Sequence, residues 1–239
     1  MTDARKIAVQ GAVEYEINYY ISQLTNLKKR IVGGYAFYEG DNCGKNFVIS
    51  QTGAGITHAA IATAICIHNY NPYVIINQGI AGAHRKDLNV GDIIIGKDAV
   101  NINSFISEGR AEGEGSDILK WKLAKRLQRY NADSSLIDFF VKHLPEGRQD
   151  TLGSGDMFNN EIDCIKWITD NLGTACEDME SAAVYQCCAG YDVPCIGIRI
   201  ISNNGLIGSE YDRSMADKLQ RKLLPVLQTW ANLKKDVLK

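Results

Sequence analysis

The feature that most constrains this chain is the recurrence of short β-branched apolar runs, each ending at a glycine or a small polar residue and alternating with segments of helical spacing. KIAVQ (6–10) stops at Gly11, NPYVIINQGIAGAH (71–84) enters a glycine-rich turn, VGDIIIGKDAV (90–100) follows, and VPCIGIRIIS (193–202) ends before two asparagines. Runs of this length suit strands, while apolar residues at i, i+3 and i+4 suit helices. Strands alternating with helices predict an α/β fold of three layers, with a central mixed, mostly parallel sheet flanked by helices. A length of 239 residues is enough to bury a full core, and a single domain over residues 1–239 is the expected organisation.

Along the chain, helical spacing is predicted from Val13 to Leu24, over 53–68, 118–130, 134–144 and 161–173, the last closed by Gly173. A further helix runs from Met179 to about Cys188, and an amphipathic one from about Arg213 to Val237, in which Pro225 should produce a kink or break. The runs 31–40 and 45–53, separated by Asp-Asn-Cys-Gly, predict a hairpin, and 147–155 another strand. Residues 103–117 carry charges among glycines without sustained period and read as a loop.

Charge and cysteine content exclude several classes of function. Lys plus Arg number 26 against 28 Asp plus Glu, so the net charge of -2 gives no basic surplus for nucleic acid. The first six residues are polar and the apolar runs fall short of a membrane span, so neither a secretory signal nor a membrane interaction is expected, and the cytoplasm is the expected location. Seven cysteines, an odd number without C-x-x-C spacing, read as buried reduced thiols, and no metal site is expected.

In open α/β sheets ligands gather beyond the carboxyl ends of strands. Five such places are unusual here: Gly11 to Glu16, Gly53 to Gly55, Gly79 to Gly82, Gly153 to Asn159 and Ser202 to Asn204, with Met179 and Glu180 opening a helix nearby. The Gly53 to Gly55 turn lacks both the three-glycine dinucleotide spacing and a Walker lysine, so its glycines read as close backbone packing, and a Rossmann oxidoreductase is disfavoured. Of the four histidines only His84, after a glycine turn at a strand end, is worth testing for a role.

The motifs G-A-V-E-Y-E (11–16), N-Q-G-I-A-G (77–82) with V-G-D (90–92), G-S-G-D-M-F (153–158), E-D-M-E-S-A-A (177–183) and V-P-C-I-G-I-R-I-I-S-N (193–203) together resemble, in order, those of the methylthioadenosine/S-adenosylhomocysteine nucleosidase family. The resemblance runs from about Lys6 to the C-terminal helix. It implies a nucleoside phosphorylase-like single α/β domain, usually a homodimer, with no cofactor, a small-molecule purine nucleoside as substrate and water as the nucleophile. Glu16 falls on the glutamate that activates the water, and Arg199 on a position near that water. Met179 and Glu180 match the pair that holds the ribose, with Asp178 replacing a glutamate common there. Phe158 matches the aromatic ring stacked on the purine, and the backbone of Asn159 would read the base edge. The expected activity is hydrolysis of the N-glycosidic bond of a purine nucleoside, with methylthioadenosine or S-adenosylhomocysteine as lead substrates.

Two positions depart from the family. After Ser202 the family usually has an aspartate that protonates or hydrogen-bonds purine N7, and here Asn203 stands in its place. An amide donates and accepts hydrogen bonds but is no general acid. Four readings follow: Asn203 serves N7 and the adenine amino group; it selects a 6-oxopurine of the futalosine or inosine type; Glu210 or Asp212 supplies the acid; or activity is lost and a purine-binding homologue remains. Ile80 stands where a serine or threonine often helps to bind water or sugar. That residue contributes to phosphate binding in purine nucleoside phosphorylases, so Ile80 favours hydrolysis over phosphorolysis.

Overall fold

The structure, a computed structural model, describes residues 5–125 and 129–233. In chain order it contains β1 (Ile7–Gly11), a 3-10 turn (Glu14–Glu16), α1 (Asn18–Ser22), β2 (Thr25–Val32), β3 (Tyr35–Asn42), β4 (Lys45–Gln51), α2 (Ile56–Tyr70), β5 (Val74–Ala83) and β6 (Ile93–Asn101). There follow β7 (Phe105–Ile106), a 3-10 turn (Ile118–Lys120), β8 (Lys122–Leu123), β9 (Arg129–Asn131), α3 (Ser134–His143), β10 (Gly147–Ser154), α4 (Ile162–Leu172) and β11 (Thr174–Asp178). The chain closes with α5 (Ser181–Gly190), β12 (Cys195–Asn203), a 3-10 turn (Gly205–Ile207) and α6 (Met215–Leu233).

The main sheet has the order β11-β10-β6-β12-β5-β1-β4-β3-β2. Its middle is largely parallel, through β10–β6, β12–β5, β5–β1 and β1–β4, while β6–β12 and the β4-β3-β2 hairpins are antiparallel. The expected mixed sheet with flanking helices is therefore the architecture found. One feature was not expected: β11, at the end of the order, also pairs antiparallel with β5 through Cys176↔Ala83 and Glu177↔Gly82. Strands β5, β12, β6, β10 and β11 thus close into a ring whose end carries the glycine turn of β5.

The core lies between this sheet and its helices and is built from runs such as Ile93-Ile94-Ile95 and Ile198, Ile200 and Ile201, all at most 1% exposed. Strands buried on both faces need continuous apolar runs, which is why they stand out in the sequence.

Several predicted boundaries are corrected. The helix expected from Val13 to Leu24 is a 3-10 turn followed by a five-residue helix, because the turn bends Glu16 back onto the amides that precede it. Thr25–Val32, not recognised as a strand, is the sheet's exposed edge, where Lys28, Lys29 and Arg30 mask the β pattern and discourage pairing with another edge. The helix predicted over 118–130 is absent among the described residues. Its first part is a 3-10 turn and a short ribbon pairing with β7, so 103–117 is not wholly loop. Ile118, Trp121, Leu123 and Phe105 pack there against a separate apolar cluster with Trp167, and this tertiary contact overrides local helical spacing. Residues 126–128 of that prediction, and the end of the last helix beyond Leu233, lie outside the described residues. Strand β11 was missed because T-A-C-E-D has little β-branched character and owes its conformation to burial.

Helix α6 continues through Pro225, so of the expected kink or break the break is not found. Pro225 is exposed while Val226 and Leu227 are buried, so the carbonyl left without an N–H partner faces water. All seven cysteines are free; five are buried, Cys187 is intermediate, and Cys43 is exposed in the β3–β4 turn. No helix among the described residues is long and apolar enough to cross a membrane.

Candidate active site

The carboxyl end of β5 forms the floor of a cavity of about 190 Å³. Glu16 is the buried carboxylate at one end, 5% exposed. Its Oε2 accepts from the backbone N–H groups of Ala12 (2.7 Å) and Val13 (3.2 Å), and its Oε1 from that of Ile80 (3.0 Å). Gln78 Nε2 donates to the Glu16 carbonyl at 2.7 Å, which fixes the backbone as well. Burial pushes the Glu16 carboxyl above the usual range, and the three amides together with Arg199 oppose that shift. A carboxylate so held is a proton acceptor aimed into the cavity.

Behind the floor lies a charged cluster. Asp178 Oδ1 accepts from Ser154 Oγ (2.7 Å) and from the N–H groups of Glu180 and Ser181 (both 2.8 Å), and its Oδ2 from Ser181 Oγ (2.6 Å) and Arg199 Nε (2.9 Å). Burial would raise Asp178, but Arg199 and these donors hold it below the ordinary carboxylate range. Arg199, 1% exposed, also donates to Asn77 Oδ1 and approaches Glu180 Oε2 at 4.0 Å. Glu180 accepts from Gly55 N–H at 3.1 Å, and burial, with Asp178 adding to it, pushes its carboxyl up to about 8. Gly55 has φ 106°, and a Cβ there would meet Asp156 Oδ1 at 2.7 Å, so this glycine turn does serve close backbone packing.

Phe158 is exposed and packs edge-on to Tyr211, whose hydroxyl meets that of Tyr15 at 3.0 Å. Ser202 occupies a β-bulge between Ile201 and Asn203, where its hydroxyl can donate its one proton to Asn203 Oδ1 (2.9 Å) or to Ala81 O (3.2 Å). Bulges re-aim side chains, and this one sets Asn203 over Gly82 at the cavity wall. Opposite, Glu177 accepts from the backbone N–H of Asn159 at 2.8 Å.

The structure brings Glu16, Ile80, Phe158, Asn159, Asp178, Met179, Glu180, Ser202 and Asn203 to one cavity. Arg199 is not among its lining residues; it stands behind Asp178 and Glu180. The Asp178 carboxylate is saturated by five protein donors, so it supports the site instead of presenting itself to ligand. Glu210 and Asp212, the acids nearest Asn203 in sequence, do not line the cavity, and Asp212 caps Ser214 N–H at 2.8 Å. Sequence reasoning missed Glu177, Tyr15 and Tyr211 as lining residues. Glu177 opens the E-D-M-E motif, but the β11–β5 pairing is what aims it inward. Among the described residues no group of His, Cys, Asp and Glu is arranged to hold a metal ion.

The family profile described as "Phosphorylase superfamily" matches residues 6–227. A 5'-methylthioadenosine/S-adenosylhomocysteine nucleosidase of Hydrogenovibrio crunogenus is 32% identical over 211 residues, 83% of this chain and 85% of the relative. The crystal structure of the nucleosidase of that name from Neisseria meningitidis, in complex with methylthio-immucillin-A, superposes with a TM-score of 0.79 at 26% identity, covering 94% of this chain and 99% of the other. That from Colwellia psychrerythraea 34H, in complex with adenine, gives 0.78 at 25% identity, covering 94% and 95%.

Proposed function

The chain belongs to the 5'-methylthioadenosine/S-adenosylhomocysteine nucleosidases of the phosphorylase superfamily, and on that premise we propose that it hydrolyses the N-glycosidic bond of 5'-methylthioadenosine or S-adenosylhomocysteine, releasing adenine. The observation that carries this reading is the Glu16 carboxylate, buried, held by three backbone amides and opening onto the same cavity as Met179, Glu180 and Asn203.

In this reading Glu16 takes a proton from water as the water oxygen bonds to the anomeric carbon. The electron pair of the breaking carbon–nitrogen bond passes to the purine. Glu180 accepts hydrogen bonds from the ribose hydroxyls, with the Met179 thioether against the sugar face. Arg199 is a positioning residue: its charge supports Glu180 and Glu16 from behind. Phe158 stacks on the base, and Asn203 Nδ2 donates to N7. That hydrogen bond stabilises the departing base without delivering a proton, which comes from solvent, at a cost of about 100- to 10,000-fold in rate relative to an acid at this position.

The same cavity is poorly suited to a phosphate nucleophile. Ile80 brings an apolar side chain to the cavity wall, and its N–H is already engaged by Glu16. The reading includes a homodimer, for which exposed Leu27, Ile31 and Ile61 supply apolar surface.

The test is release of free base and free sugar from each nucleoside in phosphate-free buffer. Adenine release abolished by Glu16→Gln supports the reading. Sugar phosphate formed only when phosphate is added replaces it with phosphorolysis, and tight adenine binding without turnover replaces it with a binding protein.

A further inference from the structure

The helical spacing from Val13 to Leu24 is interrupted at one place, and glutamine side chains from two distant elements occupy the interruption. In a continuous helix Tyr19 N–H would donate to the Tyr15 carbonyl, and Tyr20 N–H to that of Glu16. The Tyr15 carbonyl accepts from Gln220 Nε2 at 2.8 Å, and Tyr19 N–H donates to Gln220 Oε1 at 3.0 Å. The Glu16 carbonyl accepts from Gln78 Nε2 at 2.7 Å. One amide of α6 therefore bridges the two backbone groups that would close a helical turn, and a side chain so inserted opens the ladder. Ile17, at the opening, has φ -125° and ψ -14°, away from helical values.

Gln220 is fixed in this place by its own surroundings. It is 1% exposed, on the face of α6 that also buries Leu219, Leu223 and Leu224. Its amide donates a second time, to the Ala216 carbonyl at 3.0 Å. Facing two carbonyls and one N–H, the amide has one orientation that satisfies all three, since its flip would set oxygen against both carbonyls. The exposed Arg213 and Arg221 lie over the rings of Tyr15 (5.1 Å) and Tyr19 (4.3 Å), but such contacts are weak in water. The buried amide is the principal tie between α6 and the turn.

The turn matters because of what Glu16 must reach. Its carboxylate accepts from Ala12 and Val13 just before it and from Ile80 on β5, two separate segments of chain. Hydrogen bonds weaken steeply with angle, so a carboxylate meeting both segments tolerates little rotation of its backbone. Closing the helix at Tyr15 and Tyr19 would impose such a rotation. We propose, resting on the reading in which Glu16 takes a proton from water, that Gln220 is a positioning residue of that reaction. From α6, which supplies no lining residue of the cavity among the described residues, it wedges open the turn after Glu16 and so aims the carboxylate.

The experiment replaces Gln220 in two ways. Gln220→Met keeps the length and removes all three hydrogen bonds, while Gln220→Glu keeps an acceptor for Tyr19 N–H and sets an oxygen against the Tyr15 carbonyl. Adenine release from 5'-methylthioadenosine gives kcat and KM, heteronuclear NMR follows the Ala12, Val13 and Ile80 amides, and a melting curve verifies folding. Gln220→Met is expected to lower kcat by about 100-fold, the effect of a displacement of about 1 Å at the reacting groups. KM should stay within about twofold, because the ribose and base contacts are untouched. The three amide resonances should move, since the carboxylate that they face has moved. Gln220→Glu should act in the same direction, and it carries the test if Gln220→Met does not fold.

Unchanged kcat in a folded variant, a loss confined to KM, or unmoved amide resonances overturns the inference and makes Gln220 a support of the fold alone, as does failure of both variants to fold. If the wild type releases no adenine, the hydrolytic reading fails by itself and the resonances decide: moved, they uphold Gln220 as the residue that orients Glu16, and unmoved, they overturn it.

Discussion

Glu16 Oε1 lies 2.5 Å from the position that a Cβ on Gly79 would occupy. The carboxylate rests on the bare backbone of β5, and a methyl group there would displace it from the Ile80 N–H. Gly79→Ala is therefore expected to lower kcat/KM by about 100-fold or more, a loss of the order of a general base, with the protein still folded. Steady-state kinetics alongside circular dichroism measures this, and near-normal activity would show that Glu16 tolerates displacement.

Breaking the ion pair behind the site should act mainly on stability. Asp178→Ala leaves Arg199 buried and without its closest charged partner, and loss of one member of a buried pair costs about 3–5 kcal/mol. Urea denaturation of wild type and variant gives the difference directly. A loss below about 1 kcal/mol would mean that Asn77 and Glu180 suffice for the guanidinium.

The pH dependence follows from Glu180. With its carboxyl pushed up to about 8 by burial and by Asp178, Glu180 is mostly protonated in the free protein at neutral pH. Accepting two ribose hydroxyls needs the ionised form, so kcat/KM should climb as pH rises through about 8, and Glu180→Gln should remove that limb. Stability should move the other way. A carboxyl raised on folding favours the folded state fully below its unfolded value near 4.5, and that contribution is lost as pH rises through about 8. A flat kcat/KM profile between pH 6 and 9 would contradict this assignment.

Asn203→Asp should restore an acid at the base. Adenine release from 5'-methylthioadenosine is expected to rise by about 10- to 1,000-fold in kcat, within the range of acid catalysis. Unchanged or lower adenine release would show that the side chain at this position does not serve N7.

The main strands and most helices were legible because burial on both faces writes continuous apolar runs and because Gly173, at φ 70°, ends α4 as a left-handed cap. The motif positions were legible too, and the fold gathers most of them at one cavity. What stayed hidden depends on partners distant in sequence. Arg199 reads as a strand-end residue but lies buried against Asp178. Asn203 is aimed by a bulge at Ser202, and Glu177 by a pairing of only two residue pairs with β5. No local pattern records such pairings, because they are decided by which strands meet when the ring closes.

That closure means the cavity is built on a seam. Strand β11 pairs with β5 through Cys176↔Ala83 and Glu177↔Gly82, extended by His84 N–H on Ala175 O, whereas β12 runs beside β5 from Cys195 to Asn203. A ligand seated between Glu177 and Asn203, which both line the cavity, spans three strands and clasps the shorter joint to the longer one. Occupancy of the pocket is then also a mechanical state of the barrel end, slowing amide exchange at Gly82 and Glu177 and tightening the scaffold while the substrate is in place.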